Sequence, residues 1–161
     1  MNCIKLFCNL LLLAIVCMGL TGCGFFGSSS QTALELPKNA PGVVKTACTQ
    51  MGKKYCPGGS SPKKGFDCSG LVWWSYKQNG VTVPRITTDQ AKAGKKIAKK
   101  HAQAGDIMVF RVNRSPRGLH TGIYAGDNKF IHSPSSGKRV CLESLEPYWG
   151  NKLIAVRRIT K

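Results

Sequence analysis

Gly65-Phe66-Asp67-Cys68-Ser69-Gly70-Leu71-Val72 is the stretch on which the fold turns. The residues before it, Lys54 to Phe66, hold Pro57, Gly58-Gly59, Pro62 and Gly65 and read as a loop. Asp67 suits a helix N-cap, and a helix is expected over 68–79, with Leu71, Val72, Ser75 and Tyr76 at helical spacing and Gly80 closing it as C′. Cys68 then stands in the first turn, where unpaired N–H groups and the helix dipole favour a thiolate. Its pKa is therefore expected to be lowered.

Working outward, Pro41 to Lys53 reads as a short helix, with Val43, Val44, Ala47 and Met51 on one face. Val81 to Pro84 reads as a short extended piece and Thr88 to Ala93 as a helical turn. Downstream the period changes to two. Asp106–Val112, His120–Ala125, Lys129–Ser133, Arg139–Leu142 and Leu153–Ile159 read as strands. Helices followed by consecutive strands give an α+β class, with N-terminal helices packed on a mainly antiparallel sheet.

Of the three His, His120 and His132 lie on the two strands of a hairpin, whereas His101 sits in a Lys-rich stretch and reads as a surface residue. A thiolate nucleophile, an imidazole base and a third group that orients the base form a nucleophilic triad. Strand side chains alternate between faces, so the two His meet only in an odd register. A three-residue loop, Gly126-Asp127-Asn128, pairs Ala125 with Lys129 and hence Gly122 with His132. His120 is then diagonal to His132, and both are expected on the face that meets the Cys68 helix.

Five segments occur in order: Tyr55-Cys56-Pro57-Gly58-Gly59, Gly65 to Val72, Ala104-Gly105-Asp106-Ile107, His120-Thr121-Gly122-Ile123-Tyr124 and Phe130-Ile131-His132. Together they resemble the NlpC-type cell-wall cysteine peptidases, papain-like α+β enzymes, from about Pro41 to Ile159. The resemblance implies Cys68 as nucleophile, His120 as base, His132 as orienting residue and Tyr55 as a helper of the oxyanion or the nucleophile. It implies cleavage of amide bonds in peptidoglycan stem peptides or their cross-links, without choosing the bond. Asp67 and Ser69 flank the nucleophile and are candidates for substrate contact; helix capping is at least as natural a role for Asp67. Thr121 stands where the family commonly has an aliphatic residue. Cys56, beside Tyr55, is open to pairing with Cys48 or Cys141; a nucleophilic Cys68 leaves at most one bridge among these.

The N-terminus sets the expected compartment. Lys5 is the only charge in the first 34 residues, and Leu6 to Met18 is apolar apart from Asn9. A run of about 13 residues is too short to span a bilayer and suits a signal peptide. It leads to Leu20-Thr21-Gly22-Cys23, which resembles a bacterial lipobox: residues 1–22 are removed and Cys23 carries lipid. Residues 23–40, with Gly27, Ser28 to Ser30 and Pro37, read as a tether, and 41–161 as the peptidase domain. Gly24 after the lipidated Cys favours the outer membrane over retention at the inner one, which places the domain in the periplasm.

At 161 residues with 42% hydrophobic content the chain is long enough for one packed core, and general disorder is excluded. Lys and Arg number 24 against 7 Asp and Glu, a net charge of +17. Lys95-Lys96, Lys99-Lys100, Arg111, Arg114, Arg117 and Arg157-Arg158 carry much of it and suit attraction to an anionic envelope. The export signal argues against nucleic acid. The intact Cys and two His argue against a catalytically silent wall-binding lipoprotein. Cys68, His120 and His132 are also plausible zinc ligands, but a fourth is not evident, so no metal or other cofactor is expected. A monomer is expected.

Overall fold

A computed structural model describes residues 39–113, 118–135 and 138–160. The signal segment, Cys23, the tether up to residue 38, Arg114 and Arg117 lie outside the described residues, and Ala40, at the expected end of the tether, is buried in the core. Helix α1 spans Gly42–Cys48 and buries Val43, Val44 and Ala47. The expected helix to Lys53 stops early: the chain continues as turns, Gln50 N–H to Ala47 O and Met51 N–H to Cys48 O. Gly52, with φ +80°, ends them. Strands β1 (Ser60–Ser61) and β2 (Gly65–Phe66) make a small hairpin within the expected loop. Helix α2 spans Cys68–Gln78 and buries Leu71, Val72, Ser75 and Tyr76. Asp67 Oδ1 accepts from the Gly70 N–H at 2.6 Å, the expected N-cap. Helix α3 is one turn, Thr87–Gln90.

The sheet has six antiparallel strands in the order β3-β8-β4-β5-β6-β7. They are β3 (Lys95–Ile97), β4 (Ile107–Arg111), β5 (Leu119–Gly126), β6 (Lys129–His132), β7 (Cys141–Ser144) and β8 (Leu153–Arg158). Strand β3 is absent from the sequence reading, because Lys95-Lys96 gives no apolar alternation; lysines on an edge strand discourage pairing with other chains. The last turn of the sequence's fourth strand is shifted too. Arg139 makes only an isolated bridge to Lys54, and β7 proper runs on to Ser144.

Each sheet face has its own core. Ile107, Val109, Ile123 and Ile131 pack against Val44, Ala47, Phe66, Leu71 and Val72, so both long helices lie on this face. Met108, Phe110, Phe130 and Val156 form the other face with Leu145 and the half-buried Trp149. Each fully buried side chain of this size contributes about 1.5–3 kcal/mol. The α+β arrangement is the one expected.

The β5–β6 hairpin reaches the expected register by a different device. Asp127 and Asn128, with φ of 49° and 57°, form a two-residue turn closed by Gly126 opposite Lys129. That turn alone would pair His132 with Ile123. A bulge at Ala125 absorbs one residue, so Tyr124 faces Phe130 and Ile123 faces Ile131. Gly122 therefore comes opposite His132, and the two His share a face. It is not the helix-packed face, however. His120 is the cross-strand partner of Phe110, so both His project on the side of Phe110, Phe130 and Trp149.

The basic clusters divide. Lys95, Lys96, Lys99, Lys100 and Arg111 are exposed. Arg157 donates to the carbonyls of Lys92, Ala93 and Gly94, and Arg158 forks onto the buried Asp106 at 2.8 and 2.7 Å. These two Arg are structural clamps, and so contribute less than the exposed lysines to the attraction to an anionic envelope expected from the sequence.

Candidate active site

Cys68 is half-buried at the head of α2. The backbone amides of Thr121, Ser69 and Cys68 itself face its sulfur and favour the thiolate. Burial pushes the thiol pKa up, the nearby Asp67 charge adds to this, and the three amides only partly offset it. The expected lowering is thus corrected: desolvation outweighs the helix terminus.

Thr121 is also the reason the nucleophile and the first His stay together. Its Oγ1 donates to Gln90 Oε1 at 2.9 Å, while Gln90 Nε2 donates to Ser69 O at 3.0 Å and to Pro84 O at 2.8 Å. Gln90 is fully buried, so α3 rivets β5 to the first turn of α2. The departure from an aliphatic residue at 121 is balanced by this side-chain partner. Ser133 adds a second rivet, donating to Phe66 O at 2.8 Å from the end of β6.

His120 and His132 are 5% and 0% exposed. His120 Nε2 lies 2.7 Å from His132 Nδ1, with the rings perpendicular and 4.9 Å apart. Gly122 leaves the space: a Cβ there would stand 2.7 Å from the Phe130 ring and 3.1 Å from His132 Cβ. Burial, with the charge of His132, lowers the His120 pKa to about 3; Glu143 opposes the shift.

Beyond His132 lies a residue the sequence reading missed. Glu143 Oε2 is 3.4 Å from His132 Nε2, and Trp149 Nε1 donates to the same oxygen at 2.5 Å. The hydrogen bond from His132, aided by that from Trp149, holds the Glu143 carboxyl down at about 2 against the effect of burial. Trp149 stacks on His120 at 5.3 Å and meets His132 edge-on at 5.1 Å. Only the strand end could have revealed Glu143: with β7 ended at Leu142, Glu143 falls in a loop; extended to Ser144, it shares a face with Cys141, the cross-strand partner of His132.

Tyr55 comes from the loop before α2. Burial raises its pKa, with further contributions from the charges of Cys68, Asp67 and Cys56, so the phenol is near the nucleophile and stays protonated. Asp67 and Ser69 are tied to Arg85, another residue missed from sequence. Arg85 forks onto Asp67 at 3.0 and 2.9 Å, reaches Ser69 Oγ at 3.1 Å and donates to Gly59 O at 3.1 Å. Ser69 is 5% exposed. Cys48, Cys56, Cys68 and Cys141 are all unpaired. His101 is exposed, as expected. Among the described residues, the three metal-capable side chains whose ligand atoms all lie within 4.8 Å of one another are His132, Cys141 and Glu143, not the Cys68–His120–His132 set considered from sequence.

The arrangement is a pair of touching, buried imidazoles backed by a carboxylate. Residues 52–158 match the model of the NlpC/P60 family. The chain is 40% identical over 118 residues to the bifunctional muramidase/DL-endopeptidase CwlT of Bacillus subtilis, covering 73% of this chain and 36% of that protein. It is 38% identical over 114 residues to the murein DD-endopeptidase MepH of Escherichia coli, covering 68% and 42%. Among solved structures, an NlpC/P60 family protein of Bacillus cereus superposes with a TM-score of 0.68 at 32% identity, over 77% of this chain and 41% of that one. The chain thus spans about two-fifths of the length of these relatives.

Proposed function

The chain belongs to the NlpC/P60 family, and from that membership we propose that it is a cysteine peptidase cleaving amide bonds of peptidoglycan stem peptides or their cross-links. One observation carries the reading. The Thr121 amide faces the Cys68 sulfur and favours its thiolate, while the residue before it, His120, is 2.7 Å from His132, so nucleophile and imidazole pair adjoin the same point of β5.

The proton inventory follows from the far end. Glu143, ionised, accepts from His132 Nε2–H, which leaves His132 Nδ1 bare. That nitrogen accepts from His120 Nε2–H, which leaves His120 Nδ1 bare to receive the Cys68 proton. The thiolate attacks the carbonyl carbon, and the Cys68 N–H, with the Tyr55 hydroxyl as second donor, holds the oxyanion. His120 passes its proton to the departing amine, and a thioester remains. Water gives a proton to His120 and its hydroxide adds to the thioester; collapse releases the acid and returns the proton to the sulfur. Because burial keeps both Cys68 and His120 neutral at rest, the ion pair forms during attack, and Glu143 stabilises the imidazolium across His132.

The N-terminal pattern supports lipid anchoring through Cys23 in the cell envelope, with the domain facing the periplasm from the outer membrane. The two curated relatives are named for different bonds, DL and DD, so both belong in the test. Mass spectrometry of defined muropeptides after digestion is expected to show new amine and acid termini. Cys68→Ala should abolish the cleavage and leave the fold intact; undiminished cleavage would refute the mechanism. Cys48→Ala should cleave at the parental rate.

A further inference from the structure

We propose that His132 Nε2, Cys141 Sγ and the Glu143 carboxylate form a binding site for a zinc ion, and that the bound ion switches the hydrolytic site off.

The geometry carries the first half. His132 Nε2 and Cys141 Sγ stand 3.7 Å apart, with Glu143 Oε2 3.4 Å from the nitrogen and Glu143 Oε1 3.6 Å from the sulfur, so one ligand atom from each residue lies within 4.8 Å of the other two. Tetrahedral zinc, with ligands at about 2.0–2.3 Å, places such donors about 3.3–3.6 Å from one another. The nitrogen and sulfur are already near that spacing, and a rotation of the half-exposed Glu143 carboxylate brings one oxygen to complete the face. Imidazole, thiolate and carboxylate are a donor set that zinc accepts and that magnesium or calcium does not favour. The backbone fixes the triangle: Cys141 is the cross-strand partner of His132, and Glu143 follows two residues on, on the same face. The outer contacts of a metal site are also present. The other ring nitrogen of His132 is held by His120, and Glu143 is held by the Trp149 N–H. His132 is sealed, but the Glu143 side chain is 37% exposed, which gives an entry path and a place for water as fourth ligand.

The second half follows from where protons can sit. Zinc binding releases the Cys141 thiol proton to solvent as the Zn–S bond replaces a bound water. At His132, zinc takes the Nε2 lone pair, so the ring proton moves to Nδ1. His132 Nδ1–H then donates to His120 Nε2, and His120 carries its own proton on Nδ1. That is the nitrogen that must be bare to accept from Cys68. No oxidation is involved; the tautomers of both rings are reversed and the base is blocked. Binding stands independently of the hydrolytic role, whereas the switch rests on it.

Cobalt(II), titrated into the reduced full chain, is the probe. The parent and Cys68→Ala should both develop a thiolate-to-cobalt charge-transfer band and strong visible bands of four-coordination, and zinc should bleach them. Cys141→Ser should lose the charge-transfer band. No such bands in the parent, or bands lost in Cys68→Ala and kept in Cys141→Ser, would overturn the site. In muropeptide digestion, saturating zinc should slow the parent by about tenfold or more. Cys141→Ser, compared with its own metal-free rate, should be indifferent to zinc; equal fold-inhibition of both proteins would overturn the switch. If the parent digests nothing under any condition, the hydrolytic reading fails while the cobalt spectra still decide the site.

Discussion

In the proposed mechanism Glu143 sets the direction in which two imidazoles point their protons, from its place beyond His132. Its carboxylate faces His132 Nε2 at 3.4 Å and is held ionised by His132 and Trp149. Glu143→Gln keeps the shape, removes the charge and presents an amide that can donate to His132 and reverse the chain of tautomers. It should lower kcat by about tenfold or more with KM little changed. The pH–rate profile should move with it, since Glu143 opposes the lowering of the His120 pKa; a merely structural role would leave the profile in place. The meeting of His120 and His132 was legible in sequence because each lies inside a short ordered motif on one strand of a hairpin. Glu143, Arg85 and Gln90 were not, because their partners belong to other elements: Arg85 reads as a surface charge until Asp67 is placed 2.9 Å from it.

At the scale of elements, the hairpin shows how a right answer can rest on a different construction. The sequence required an odd register, and the alternation of strand side chains made that requirement firm. It offered a three-residue loop; the chain uses a two-residue turn and a bulge at Ala125, which the sequence does not mark. The face was misread for a related reason. Helix packing selects Val109 and Ile123, and His120, at odd distance from both cross-strand positions, falls on the Phe110 side. Gly122 is the narrow point of this design. Gly122→Ala places a methyl 2.7 Å from the Phe130 ring, 2.8 Å from the Ile131 carbonyl oxygen and 3.1 Å from His132 Cβ, so the β6 backbone must yield along with the two side chains. The expected cost is about 1–3 kcal/mol of stability, as for other overpacked cores, together with a fall in kcat as the 2.7 Å His–His contact opens. Thermal melts alongside muropeptide kinetics will read both; parental kinetics would mean that the contact does not govern turnover.

For the molecule as a whole, the α+β class was readable because the change from helical to alternating period falls once, between α3 and β4. The large positive charge was readable too, but not its distribution: only side-chain geometry separates the clamps Arg157 and Arg158 from the exposed lysines. Acid sensitivity follows from the buried site. The folded-state pKa of His120 is lowered from its ordinary 6.5 to about 3, so across that window the unfolded chain binds more protons and stability falls as pH falls. Glu143, lowered from 4.5 to about 2, acts with the same sign further down. Melting temperature should therefore decline on acidification below about pH 6.5, and His120→Gln should flatten the decline between about pH 6.5 and 4.5; an unchanged slope would contradict the burial of a neutral His120. Among the described residues no helix is long and apolar enough to cross a membrane. Cys23→Ser should abolish incorporation of labelled palmitate into the protein in cells, and unchanged labelling would count against lipid anchoring through Cys23. Trp149 gives the molecule one more property. Of its three Trp, Trp73 and Trp74 lie on α2, beside Lys77 and Phe66, while Trp149 alone rests on the imidazoles. A protonated imidazole quenches indole fluorescence by accepting an electron from the excited ring. With Trp73 and Trp74 changed to Phe, the emission of Trp149 becomes a built-in optical gauge of the charge on the two histidines, readable in real time while the protein works.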